Sequence, residues 1–169
     1  MTLKYDHLEG MEFDIGTQNC YTILRSFYKD NYDIELTDYA GPTDWWSGGL
    51  ELYQRLASSE GFNPVHCHPQ DWKPGDVFLM ALGGSSTGNH IGILLDNGKI
   101  LHHLYGQRSL VTSYGGAFRN ATVGVYRHEQ LKDRETEEKL LDIRDVLPLH
   151  VKRRIEELEA AGDQPSAED

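Results

Sequence analysis

The chain has 169 residues, 38% of them hydrophobic, which suits one globular domain with a real core plus an appendage. A formal net charge of −11 disfavours nucleic acid as a partner. No apolar run is long enough to cross a bilayer, no signal-peptide pattern opens the chain, and two cysteines, Cys20 and Cys67, cannot build a disulfide framework.

Residues 1–12 read as a lead-in, and residues 13–19 as a short loop of small polar groups. A helix is expected from Cys20, with Asn19 as its N-cap. Cys20, Leu24 and Phe27 share one face by their spacing, with Ile23 beside them, and the helix should fade near residues 31–33. Backbone N–H groups at a helix start favour an anion, so this position favours thiolate, the nucleophilic form of cysteine. By default a lone cysteine is a small buried hydrophobe. The histidines downstream are what make Cys20 a candidate nucleophile.

Residues 39–49 form a turn-rich loop carrying Trp45 and Trp46, which suit either a substrate wall or a lid on the core. Residues 50–60 read as a second amphipathic helix, with Leu52, Leu56 and Tyr53 on its buried side and Gly61 as its stop. His66-Cys67-His68 resembles a metal cluster, since alternate strand residues share a face. The cysteine spacing of structural zinc sites is missing, which argues for a surface strand or loop. Trp72-Lys73-Pro74-Gly75-Asp76 is a turn, and residues 77–82 are a buried strand. The glycine-rich run at 83–88 lacks the Lys-Ser/Thr and helix of a phosphate loop.

Two apolar strands follow, around a turn at Asn97-Gly98. A two-residue turn would pair Asp96 with Lys99 and put His90 on a face with His103. A three-residue turn, 96–98, would pair Leu95 with Lys99, set His102 opposite Gly92 and put it on the face of His90. The residues alone permit both. Residues 109–113 and 122–127 complete an antiparallel sheet of about five strands, joined by a loop at 114–116. Beyond His128 the chain is charge-rich. Leu140, Ile143, Val146 and Leu147 lie at helical spacing, Pro148 interrupts, a short helix is expected over 151–160, and the tail from Gly162 should fray. This C-terminal arm either packs on the core or is held out for a partner protein.

Asn19-Cys20 at a helix start, Lys73-Pro74-Gly75-Asp76 before a strand, the run from His90 to Leu95 and the run from Gly98 to His102 together resemble the NlpC family of cell-wall cysteine peptidases. The resemblance spans roughly residues 5–128 and is strongest to the family's phage-tail branch, through Cys20-Tyr21-Thr22, Asp44-Trp45-Trp46, Leu101–Leu104 and Val125–His128. It implies an α+β fold with a papain-like core over 1–128, in which a helix carrying the nucleophile packs on an antiparallel sheet; the helical arm over 129–169 lies outside the resemblance. It implies Cys20 as nucleophile, His90 as general base and His102 as the group that orients His90, which favours the three-residue turn and leaves His103 a neighbour. The implied activity is hydrolysis of a peptidoglycan stem-peptide amide through an acyl-enzyme, without metal or organic cofactor, by a virion tail protein with tail-tip partners.

Two departures from the family pattern stand out. Asn19 replaces the usual aspartate, and either residue caps a helix. Phe13 stands where the family often has a tyrosine that assists the oxyanion, so the hydroxyl is missing there. The rival readings are a structural tail protein with a vestigial site and a cellular amidase or acyltransferase on the same core. A zinc hydrolase using His66, His68, His90 and His102 is disfavoured.

Overall fold

The structure, a computed structural model, describes residues 2–39 and 51–131. Helix α1 spans Cys20–Tyr32. Its first turn is closed by a capping box: the Asn19 side chain accepts from the N–H groups of Tyr21 and Thr22, and Thr22 Oγ1 accepts from the Asn19 N–H at 2.8 Å. The helix ends at Asp33, which takes the left-handed conformation. Ile23, Leu24, Phe27 and Tyr28 are all buried, and each stabilises the fold by about 1.5–3 kcal/mol through loss of apolar surface to water.

Helix α2 is shorter than the sequence suggests, Leu52–Ala57, followed by a 3-10 turn that ends at a left-handed Gly61. Its apolar residues are only half-buried, because they wall a cavity instead of filling the core. The strands are β1 (Phe62–Pro64), β2 (Val77–Met80), β3 (His90–Leu94), β4 (Lys99–His102), β5 (Leu110–Ser113) and β6 (Thr122–His128), with helix α3 (Gly116–Ala121) before the last. They form one antiparallel sheet in the order β1-β6-β2-β3-β4-β5. The α+β architecture of helix on antiparallel sheet is therefore as expected, with one strand more than the five anticipated. The extra strand, β1, is too short to carry an alternating pattern and ends in Pro64, which suits a sheet edge.

The sheet buries both faces. Val77, Leu79, Ile91, Ile93 and Leu101 pack with α1, while Phe78, Met80, Leu94 and Ile100 pack with Trp72, Tyr114 and Phe118. At the head of β2, Asp76 is fully buried and takes a two-pronged contact from Arg127 of β6, at 2.7 and 2.8 Å, plus the Lys73 N–H at 2.8 Å. Tyr28 of α1 donates its hydroxyl to the Gly75 carbonyl at 2.6 Å, tying the helix to the same turn.

The β3–β4 hairpin takes the three-residue turn. The Leu95 N–H donates to the Lys99 carbonyl at 2.8 Å, Gly98 has a φ of 73°, and Gly92 pairs with His102. His66, Cys67 and His68 lie on an exposed loop, not on a strand. The tryptophan loop over 39–49, apart from Tyr39, and the arm over 129–169, apart from its first three residues, lie outside the described residues; of those three, Leu131 is buried in the core.

Candidate active site

Cys20 opens α1, so its sulfur sits where the first turn leaves backbone N–H groups without helical partners. It lines a cavity of about 970 Å³ together with Phe13, Tyr53, His90, His103 and Tyr105. The thiol is 8% exposed. Burial raises its pKa, and this outweighs the opposing pull of the Tyr53 hydroxyl and of the amides of Ile91, Cys20 and Tyr21. Among the described residues the sulfur has one side-chain hydrogen-bond partner, Oη of Tyr53 at 3.5 Å. Burial and the nearby Cys20 push the Tyr53 phenol well above its ordinary pKa, so it stays a protonated donor.

His90 is the first residue of β3 and is held there by Asn89, whose side-chain amide bridges both the N–H and the carbonyl of Leu82 across the glycine loop. Strand alternation sends His90, Gly92 and His102 to the face opposite α1, and Ile91 to the α1 face. The bareness of Gly92 leaves room there: a Cβ would stand 3.0 Å from Met80 and 3.1 Å from Ile100. Nε2 of His90 and Nδ1 of His102 are 3.1 Å apart, and Nε2 of His102 is 3.1 Å from Oγ1 of Thr112 on β5. Nδ1 of His90 takes no part in this chain of contacts. Burial, reinforced by the neighbouring histidines, pushes His90 down to about 3 and His102 down to about 4. Both rings are neutral at pH 7.

Cys20 and His90 therefore line one cavity, and no hydrogen bond joins the sulfur to the His90 ring. A protonated thiol and a neutral imidazole thus line the same cavity. His103 points to the α1 side. Its ring meets Phe13 edge-on at 5.3 Å and its Nε2–H donates to the Gln107 carbonyl at 3.0 Å.

The residues that sequence reasoning singled out fall into two groups. Cys20, His90 and His102 gather at one end of the sheet, while His66 and His68 stay on the surface loop. Among the described residues no three His, Cys, Asp or Glu side chains gather as a metal site, and no helix is long and apolar enough to cross a membrane. Tyr53 and Thr112 were missed. Tyr53 was read as a core residue of α2, and nothing local in β5 marks Thr112, whose contact with His102 exists only once β4 and β5 pair.

Comparison with known proteins gives a consistent picture. The model of the NlpC/P60 family matches residues 9–127. The chain is 34% identical over 122 residues to tail tip assembly protein K of Escherichia phage lambda, covering 72% of this chain and 59% of that protein. It is 31% identical over 125 residues to tail tip assembly protein K of Escherichia phage N15, covering 73% of this chain and 50% of that protein. The chain thus spans between half and three-fifths of these relatives. A crystal structure of an NLP/P60 family protein from Staphylococcus aureus is similar at a TM-score of 0.49 and 16% identity, over 72% of this chain and 38% of that one.

Proposed function

The chain belongs to the NlpC/P60 family, and from that premise we propose that it is a phage tail-associated peptidoglycan endopeptidase. The observation that carries this reading is a helix-start cysteine and a histidine that line one cavity, the histidine hydrogen-bonded to a second. In the proposed reaction Sγ of Cys20 attacks the carbonyl carbon of a stem-peptide amide, the bond between D-glutamate and a diamino acid. Nδ1 of His90 takes the thiol proton as the C–S bond forms and returns it to the leaving amine as the C–N bond breaks. Water, deprotonated by the same nitrogen, then hydrolyses the thioester and restores the thiol. His102 steadies the His90 ring, and the backbone N–H of Cys20 is the first donor to the oxyanion. The reaction uses no metal or organic cofactor.

The two curated relatives carry the name tail tip assembly protein, which supports a place in the virion tail and contact with tail-tip proteins. On this reading residues 1–128 are the catalytic domain, and 129–169 is the segment we assign to such contacts. A specific observation favours a second reading, an assembly protein with a weakened site: the resting sulfur bonds to Tyr53 rather than to His90, and Phe13 supplies no hydroxyl.

Purified protein incubated with peptidoglycan decides between them. New muropeptides with free amino termini should appear with wild type and vanish with Cys20→Ala. Identical profiles from the two proteins would leave only the assembly role.

A further inference from the structure

We propose that Thr112 is a positioning residue for the histidine pair, its hydroxyl accepting the Nε2–H of His102 and so holding His90 in the form whose Nδ1 is bare. The inference rests on the reading of His90 as the base toward Cys20. It starts from a line of three groups, His90, His102 and Thr112, joined by two contacts of 3.1 Å.

A neutral imidazole carries one proton on two nitrogens. The contact between Nε2 of His90 and Nδ1 of His102 needs one proton between them, so the pair has two arrangements. In the first, His90 carries its proton on Nε2 and donates it to His102. His102 then carries its own proton on Nε2 and donates it to Thr112. Nδ1 of His90 is bare and can accept from a thiol. In the second, His102 donates from Nδ1 and accepts from the Thr112 hydroxyl at Nε2. His90 must then hold its proton on Nδ1, where it blocks transfer from the thiol.

A hydroxyl can bond either way in principle; in the arrangement we assign it accepts, and the proton transfer requires that arrangement. Once His90 has taken the thiol proton it donates from Nε2, so His102 must accept at Nδ1 and keep its proton on Nε2. That proton needs an acceptor inside the fold. His102 is 1% exposed, and its ring meets the Phe118 ring edge-on at 4.8 Å, which offers little to an N–H. Thr112 is the acceptor at hand. It pairs with Ile100, two residues before His102, so its side chain leaves β5 on the face of His102. Its branched Cβ restricts its rotamer there. An N–H left unpartnered in such a place is costly, and the cost falls on the proton-accepting form.

The test reads protons directly. Long-range 1H–15N spectra of 15N-histidine-labelled protein at pH 7 distinguish the two ring tautomers. Wild type and Thr112→Ser should both show His90 and His102 protonated at Nε2. Thr112→Val should move the protons of both rings toward Nδ1. In parallel, iodoacetamide labelling of Cys20 should slow about tenfold in Thr112→Val, the shift expected from one unpartnered buried N–H, with the exposed Cys67 as internal reference. Thr112→Ser should keep the wild-type rate. A wild-type His90 protonated at Nδ1, or a Thr112→Val spectrum unchanged from wild type, would overturn the assignment. Should Thr112→Val not fold, the wild-type and Thr112→Ser spectra decide alone. Neither readout needs a peptidoglycan substrate, so an inert protein in the muropeptide assay would sink the assigned reaction and leave Thr112 judged separately.

Discussion

The side chain that answers the missing hydroxyl at Phe13 stands forty residues further on. Tyr53 reaches the Cys20 sulfur from α2, across the cavity, at 3.5 Å. Its phenol remains protonated because burial and the adjacent thiol both oppose ionisation. It can therefore donate to a thiolate, and its hydrogen bond pulls the Cys20 pKa down against the upward push of burial. Two consequences follow for reactivity. Since burial raises the thiol and depresses His90 to about 3, the resting pair is uncharged at neutral pH. Alkylation of Cys20 should climb steadily into the alkaline range, with no plateau between pH 5 and 8 of the kind a thiolate–imidazolium pair gives. Tyr53→Phe should slow that alkylation about tenfold at fixed pH, since a hydrogen bond to a charged group contributes about 1.5–3 kcal/mol. An unchanged rate would mean that Tyr53 only packs.

Among the elements, the one that braces the sheet at the end away from His90 is the turn before β2. Asp76, wholly buried, accepts both prongs of Arg127 and the Lys73 N–H, so β2, β6 and the turn meet at one carboxylate. Arg127→Ala should cost about 3–5 kcal/mol in urea unfolding, the penalty of leaving a buried charge unpaired. Arg127→Lys should recover only part of it, because an ammonium cannot match both oxygens. A loss under 1 kcal/mol would show that water or the chain replaces the guanidinium. This turn was legible in the sequence through Pro74, Gly75 and Asp76, as was α1 through Asn19 and its apolar spacing. The hairpin left two registers open because Asn97-Gly98 suits both, and only the folded Leu95–Lys99 bond decides. Helix α3 extends past the loop expected at 114–116 and had no signal of its own: it follows Gly115 without a side-chain cap, buries no residue fully and runs for six residues, too short for a period to show. Thr112 and Tyr53 were hidden for a different reason. Each acts through a contact made across strands or across a cavity, which no local pattern encodes.

At the scale of the whole molecule, a cluster of buried neutral histidines ties stability to acidity. His90 and His102 titrate near 3 and 4 in the folded chain, and His103 and His128 are also depressed by burial. An unfolded histidine binds its proton near 6.5. Between that value and the folded ones the unfolded chain holds more protons, so the stability they contribute is complete above pH 6.5 and drains as pH falls toward 4 and 3. Glu60, where the upward push of burial is outweighed by hydrogen bonds from Tyr39 and Thr37 together, and Asp14, held down by hydrogen bonds from Thr17 and Gly16, act in the same direction at lower pH. The urea midpoint should therefore fall steeply from pH 7 to pH 4.5, and His102→Gln should flatten part of that slope. A midpoint constant over this range would mean that the imidazoles are solvated in solution.

The three residues at the hairpin tip settle which of two adjacent rings meets His90. A two-residue bend within the same residues would pair Asp96 with Lys99, slide β4 by a place and put His103 on the face of His90 instead of His102. The length of an exposed loop and the spacing of two hidden imidazoles are thus inherited as a single character.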